Sequence, residues 1–315
     1  RNQPMYDDLV EFLQESVTPF HAAATAESWL CAAGFTRLEE ADYWNLEPGK
    51  GYYTTRNGSS VVAWRVPDHA IGGWRIVASH SDSPTWKIKT DIVENDGCRR
   101  LSVEGYGGMI MSTWLDRPLT VGGRVMVKTE DGIESRLVCI DRDLLVIPSL
   151  AIHFQRDINK GHTFNPQVDM QPLWGPAGSR TLTDLVAEEL GVDTADILDS
   201  DLQLVTRQAP TQIGPDGEFF MAPRIDDLEC AATTLLGFLD AAAETDSACA
   251  PVWAMLDNEE VGSSSRMGAQ SSYLRDVLDR IVDAIPHSGQ AMHRAMANSF
   301  MLSADNAHAT HPNFP

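Results

Sequence analysis

Basic side chains are in short supply in this sequence. Lys and Arg number 24 against 45 Asp and Glu, a formal net charge of −21. A nucleic-acid binder needs a basic face to meet phosphate, and an anionic membrane surface makes the same demand, so neither is an expected partner. The deficit does not fix the charge of a small substrate, because net charge governs solubility and steering while one pocket can differ from the whole. No apolar run approaches the ~18 residues of a membrane-spanning helix. The opening Arg1-Asn-Gln-Pro-Met-Tyr-Asp-Asp8 has neither a signal-peptide core nor an initiator Met, so the numbering is expected to begin inside the natural chain. Paired cysteines are lacking too. Cys31, Cys98, Cys139, Cys230 and Cys249 are odd in number and form no C-x-x-C, which argues against a disulfide framework or zinc knuckle and fits a reducing cytoplasm. They read as small buried hydrophobes. Phosphate-binding loops are missing as well: Gly105, Gly107, Gly108, Gly122 and Gly123 match neither G-K-[ST] nor a G-x-G-x-x-G opening a helix.

What the chain has is length, 315 residues, enough for one large or two ordinary domains with a real core. Apolar spacing predicts a helix over 5–16, a break at Val17-Thr-Pro-Phe20, and a second helix from His21 to Ala33, with Gly34 at its end. His21 reads as structural. Asn57-Gly58 marks a hairpin between strands 51–56 and 60–66, and 74–80 is a further strand. From Trp86 to Arg207 short alternating runs dominate, with a turn at Glu130-Asp131-Gly132 and one helix over 181–190, Thr183 being its possible cap. This predicts a mostly-β domain, 86–207, inserted into a discontinuous α/β domain of 1–85 and 208–315. In the returning part, Asp226-Asp227 opens a helix from Leu228 to Ala243. Val252–Leu256 is a strand, 264–284 a helix, 285–298 a loop or helix, and Ser299–Ala304 a strand.

Met255-Leu-Asp-Asn-Glu-Glu-Val-Gly-Ser263 is the stretch around which the rest is organised. An apolar strand runs straight into Asp257, Asn258, Glu259 and Glu260. Acids at the end of a buried strand are costly unless something positive sits there, and a metal is the obvious candidate. Two other predicted strands end alike, one in His80-Ser-Asp82 and one in Asp305, while Asp226 lies at a loop-to-helix boundary. In open α/β sheets the active crevice lies at the carboxyl ends of the strands. One His and several carboxylates brought there form a ligand set for zinc or a paired-metal hydrolase. A carboxylate near the free ring nitrogen of His80 would fix its tautomer. Adjacent glutamates point different ways, so one can bind metal while the other moves a proton. Each motif alone is more at home in a solvated loop or a partly buried strand end; their combination favours the metal.

These residues carry a resemblance. Thr18-Pro-Phe-His-Ala22, Ser79-His-Ser-Asp-Ser-Pro84, Gly107-Gly-Met-Ile-Met-Ser-Thr-Trp-Leu-Asp-Arg117, Ile147-Pro-Ser-Leu-Ala-Ile-His153, Pro223-Arg-Ile-Asp226, Asp257-Asn-Glu-Glu-Val-Gly-Ser263 and Ser303-Ala-Asp-Asn-Ala-His-Ala-Thr-His-Pro-Asn313 span the chain in order. Together they resemble the aspartyl aminopeptidase family, peptidase family M18. The resemblance implies an α/β fold: a mixed-sheet zinc exopeptidase domain with helices on both faces, plus the inserted mostly-β domain serving dimerisation. It implies two Zn2+ per subunit, with His80 and Asp305 on the first, Asp226 bridging and Glu260 on the second. Glu259 is then the general base, Asp82 the partner of His80, and His153 resembles a histidine that reaches into a neighbouring subunit's active site. The implied activity is a cytoplasmic, metal-activated-hydroxide aminopeptidase removing N-terminal residues, acidic ones by preference, from peptides. The implied assembly is a dimer-based homo-oligomer, a dodecamer.

The family pattern continues past the His-Pro-Asn segment, and that continuation carries the second metal's histidine and the basic residues of the substrate pocket. Met292-His293 precedes Asp305 and is followed by Arg294, so the role does not transfer to it. The sequence therefore leaves the second metal one ligand short, and the expectation is a protein that continues beyond Pro315. Two rival readings stand beside the enzyme: an incomplete relative acting as a scaffold or assembly subunit, and a metal-dependent amidohydrolase acting on small molecules.

Overall fold

The computed structural model describes residues 3–243 and 248–314, with side chains described throughout except at positions 3, 4, 90–92 and 95. The chain divides into two compact units, Arg1–Ser83 with Pro210–Pro315, and Pro84–Ala209.

The first unit opens with helices α1 (Gln3–Glu15) and α2 (Pro19–Ala32). α2 starts earlier than the spacing predicts because Thr18 caps it, accepting the His21 amide at 3.4 Å, and Pro19 fits the first turn, where its missing N–H costs nothing. Strands β1 (Thr36–Arg37), β2 (Gly51–Arg56), β3 (Ser60–Arg65) and β4 (Gly73–His80) come next. Asn57 and Gly58 both have positive φ, 61° and 63°, the left-handed turn that suits the twist of a tight hairpin.

The second unit contains β5 (Thr85–Asn95), β6 (Cys98–Tyr106), β7 (Leu119–Thr129), β8 (Gly132–Cys139), α3 (Pro166–Asp169), β9 (Leu173–Pro176), α4 (Leu182–Leu190) and β10 (Ile197–Thr206). Its sheet runs β8-β7-β10-β5-β6-β9, antiparallel throughout, over a core that includes Trp86, Leu101, Val121, Val125 and Leu202. The cap of α4 is Thr181, not Thr183: Thr181 and Asp184 bond reciprocally in a capping box.

The chain then returns to the first unit with β11 (Thr211–Ile213), β12 (Phe219–Met221), α5 (Ile225–Ala242), β13 (Cys249–Leu256), α6 (Tyr273–Asp283), α7 (Ala291–Ala297) and β14 (Phe300–Ser303). The predicted helix over 264–284 is shorter than expected. Residues before Tyr273 fold as turns, where Ser265 Oγ bonds Asn258 Oδ1 at 2.6 Å and the Gln270 amide returns to Ser263 O at 3.1 Å. Serine hydroxyls compete with helical backbone bonds in this way. The five cysteines are free and none is fully buried, which corrects their reading as buried hydrophobes.

The main sheet of the first unit has the order β1-β2-β3-β13-β4-β14. Period-two alternation splits its central strands between two cores. Val62, Trp64, Val252, Ala254 and Leu256 face α6 residues Tyr273, Val277 and Ile281. Val61, Ala63, Trp253 and Met255 face Phe12 of α1, Ala26 of α2, and Leu228 and Leu235 of α5. The fold is thus α/β, a mixed sheet with helices on both faces together with a mostly-β unit.

Candidate metal centre

β13, β4 and β14 are parallel neighbours, with Leu256 opposite His80 and Ser303 opposite Ala78. Their carboxyl ends therefore emerge on one edge of the sheet. Asp257 leaves β13 with its amide on Ser60 Oγ at 2.9 Å. Asn258 and Gly262, at φ 63° and 97°, bracket the tight turn Glu259–Val261, and a left-handed position such as the second suits glycine.

Asp82 anchors that turn. Its carboxylate is fully buried, and its two oxygens accept the Glu259 and Glu260 amides, each at 3.1 Å. Backbone donors of this kind stabilise a buried carboxylate. The same residue meets His80: ring Nδ1 lies 3.0 Å from Asp82 O and 3.3 Å from Asp82 Oδ1. His80 is thereby left with Nε2 facing outward, and three carboxylates converge on that nitrogen. Asp226 Oδ1 is at 3.3 Å, Asp305 Oδ1 at 3.8 Å and Glu259 Oε2 at 3.9 Å.

Asp226 reaches the cluster from the start of α5. Arg224 adopts a left-handed conformation (φ 60°), with its guanidinium on the Leu13 and Ser16 carbonyls, and Asp226 and Asp227 have non-helical φ/ψ. Asp227 is a site residue that the sequence reading took only for a helix opener. It is fully buried, its Oδ2 accepts the His80 amide at 3.0 Å, and its Oδ1 makes no hydrogen bond. An acidic pair at a loop-to-helix boundary was the available signal; which acid turns inward is decided by the fold.

Donor atoms of His80, Asp226, Asp227 and Asp305 lie within 4.8 Å of one another, as do those of His80, Glu259 and Glu260, and His80 belongs to both groups. The crowding shows in the acidities. Burial pushes Glu260 up to about 7, reinforced by the charges of Asp82, Asp226 and Glu259 against the influence of His80. Burial likewise raises Asp227 to about 6 and raises Asp226. For His80 burial acts downward, but the Asp82 hydrogen bond and the charges of Asp227, Asp82 and Glu259 outweigh it and lift the ring to about 9. One imidazole among oxygen donors, with an orphaned buried carboxylate oxygen beside it, is a donor set that fits a divalent cation and suits zinc. A cavity of about 240 Å3 adjoins the cluster, lined in part by His80, Leu256, Glu259, Met301 and Asp305.

The structure thus brings six of the predicted residues together: His80, Asp82, Asp226, Glu259, Glu260 and Asp305. His153 is not among them; it is exposed, in a turn of the second unit.

Residues 12–315 match the family model described as aminopeptidase I zinc metalloprotease (M18). The chain belongs to the M18 family of zinc metallo-aminopeptidases. A probable M18 family aminopeptidase 2 from Clostridium novyi is 40% identical, over 98% of this chain and 73% of the relative. The solved structure of an Ape4 and Nbr1 complex contains a chain that is 34% identical with a TM-score of 0.94, over 98% of this chain. This sequence spans 65% of that chain, less than two thirds of its length. A structure titled as the S. cerevisiae mApe1 dodecamer is 28% identical with a TM-score of 0.88, covering 99% of this M18 chain and 74% of the yeast one.

Proposed function

We propose that this M18 chain is a dinuclear zinc aminopeptidase that removes N-terminal residues, acidic ones by preference, from peptides. The observation that carries the reading is the meeting of His80, Asp226, Asp305 and the Glu259–Glu260 pair at the carboxyl ends of three adjacent parallel strands. On this reading His80 and Asp305 would hold a first cation, Glu260 would serve a second, and Asp226 would be shared between them. When bound, zinc supplies Lewis-acid chemistry: it polarises a carbonyl oxygen and makes water acidic enough to act as a nucleophile near neutral pH. Glu259, outside the ligand set, accepts a proton from the attacking water and delivers it to the departing amine. Asp82 keeps Glu259 and Glu260 in register by holding both their amides.

Preference for an acidic first residue is supported by the resemblance of the quoted segments to aspartyl aminopeptidases. A homo-oligomer, with His153 contributed by a neighbouring copy, is supported by the same resemblance and by the similarity to the S. cerevisiae mApe1 dodecamer. Free cysteines support a reducing, cytoplasmic setting. Among the described residues no helix is long and apolar enough to cross a membrane.

Zinc content by elemental analysis and turnover of aminoacyl reporters test the reading together. About two zinc ions per chain, with release of free amine from Asp- or Glu-reporters and none from N-acylated ones, is the expected result. A metal-free chain, or one that cleaves only acylated substrates, overturns it. Replacing His80 by Ala lowers zinc content; unchanged zinc would remove His80 from the ligand set.

A further inference from the structure

We propose that Glu229 and Asn306 are positioning residues, a clamp on the first turns of α5 that holds Asp305 at its distance from Asp226. Among the described residues β14 pairs with β4, and its four residues are exposed. Its last tie to the sheet is the Ala304 amide, which donates to Ala78 O at 2.7 Å. Asp305 then leaves the sheet with its side chain 56% exposed, and the residue after it is tied to α5. Asn306 Nδ2 donates to Glu229 Oε2 at 2.6 Å, and Asn306 Oδ1 accepts from the Cys230 thiol at 3.5 Å.

Glu229 and Cys230 stand three and four positions beyond Asp226 on the element that carries it. One segment of α5 therefore presents one ligand directly and steadies another through Asn306. The clamp has electrostatic work to do, since Asp226 and Asp305 offer like charges within 4.8 Å and repel until a cation arrives. A carboxylate accepting from an amide makes a strong, charge-assisted bond. Glu229 also lies near the amino end of α5, where negative charge is favoured.

The inference rests on the metal-centre reading and is tested with Co2+ as a spectroscopic probe. Chelator-competition titrations give the affinity, and visible absorption reports the ligand geometry, for the unaltered protein, Asn306→Ala, Glu229→Ala and Glu229→Gln. Loss of an outer hydrogen-bond partner typically weakens metal affinity by about 10–100-fold, and that loss, with an altered Co2+ spectrum, is expected for Asn306→Ala. Glu229→Gln keeps an acceptor oxygen and recovers most of the affinity that Glu229→Ala loses, while the double alanine variant is no weaker than either single one. Far-UV circular dichroism matching the unaltered protein accompanies each measurement, and the near-isosteric Gln variant keeps the test decisive if an alanine variant misfolds. Unchanged affinity and spectrum in Asn306→Ala, or equal losses in Glu229→Gln and Glu229→Ala, overturn the clamp alone. An unaltered protein that takes up no Co2+ overturns the clamp and the metal-centre reading together.

Discussion

β13 and β14 flank β4 on either side and hand acids to the same cluster, yet they are held by opposite means. β13 lies between β3 and β4, and Val252 to Met255 are completely shielded from solvent. The Glu259–Glu260 turn at its end is locked by a buried carboxylate, Asp82. Among the described residues β14 has one neighbour, with Phe300, Met301 and Leu302 between 47% and 65% exposed. The segment leaving β14 is tied by the side chain of Asn306. The geometry of such a cluster can thus be set by burying the strand that carries it or by a few polar bonds after the strand has ended. On the proposed reading the first ties metal affinity to global stability, and the second leaves the two separable.

That contrast can be broken or sharpened by experiment. The largest effect is expected on turnover. Glu259→Gln retains the backbone held by Asp82 and should keep its zinc while losing about 10²–10⁴-fold in kcat, the usual worth of a general base; normal turnover with zinc bound would remove the assigned role. Stability should divide the strands next. Trp253→Ala on β13 empties a fully buried site and breaks the indole bond to Thr234 Oγ1, costing about 3–5 kcal/mol in urea unfolding.

The helices covering the β13 face carry an acid-sensitive point. Burial, helped by Arg224, holds His21 down at about 4 from its ordinary 6.5. The unfolded chain takes up a proton near 6.5 that the folded chain refuses until about 4. Stability from this residue is therefore fully present above pH 6.5 and falls as pH drops through that window, by up to about 3 kcal/mol. Urea midpoints measured across the window should drop for the unaltered protein and flatten for His21→Gln; equal slopes would contradict the burial.

Asp82→Ala frees both glutamate amides and is expected to cost about 10–100-fold in metal affinity by chelator competition, accompanied by a loss of stability because two part-buried amides lose their acceptor. Asn306→Ala shares the first consequence without the second, and a matching fall in its urea midpoint would erase the distinction between the strands. The smallest effect belongs to Phe300→Ala, 65% exposed on β14, which should shift stability by no more than about 0.5 kcal/mol.

Much of the candidate metal centre was legible because acids and a histidine at strand ends leave a local mark. Apolar runs broke off into His80-Ser-Asp82, Asp257-Asn-Glu-Glu260 and Asp305, and the structure brings Glu259 and Asp305, with Asp226, to within 4 Å of His80 Nε2 while Asp82 meets its Nδ1. The cap of α4 was legible but misread: Thr181 has an acid three residues on, Asp184, whereas Thr183 has Val186. The helix over 264–284 failed for a different reason. Apolar spacing in its second half is genuine and forms α6, but the serines ahead of it find side-chain and turn partners that periodicity does not register.

The sequence by itself determined the elements and their order, since period-two and helical patterning, turn residues and capping act between near neighbours. It also determined which residue types were on offer at each strand end. Only the tertiary structure decided the rest. Parallel pairing of β13, β4 and β14 brings their ends to one edge, a relation among segments far apart in the chain. Which of two adjacent acids is buried, Asp227 rather than Asp226, and which side chains tie the segments carrying the cluster, Asp82 from one strand end and Glu229 from α5, depend on contacts across 77 to 178 residues. Long-range contacts of that kind have no local signature, because the free energy that selects them comes from packing the whole sheet against its helices.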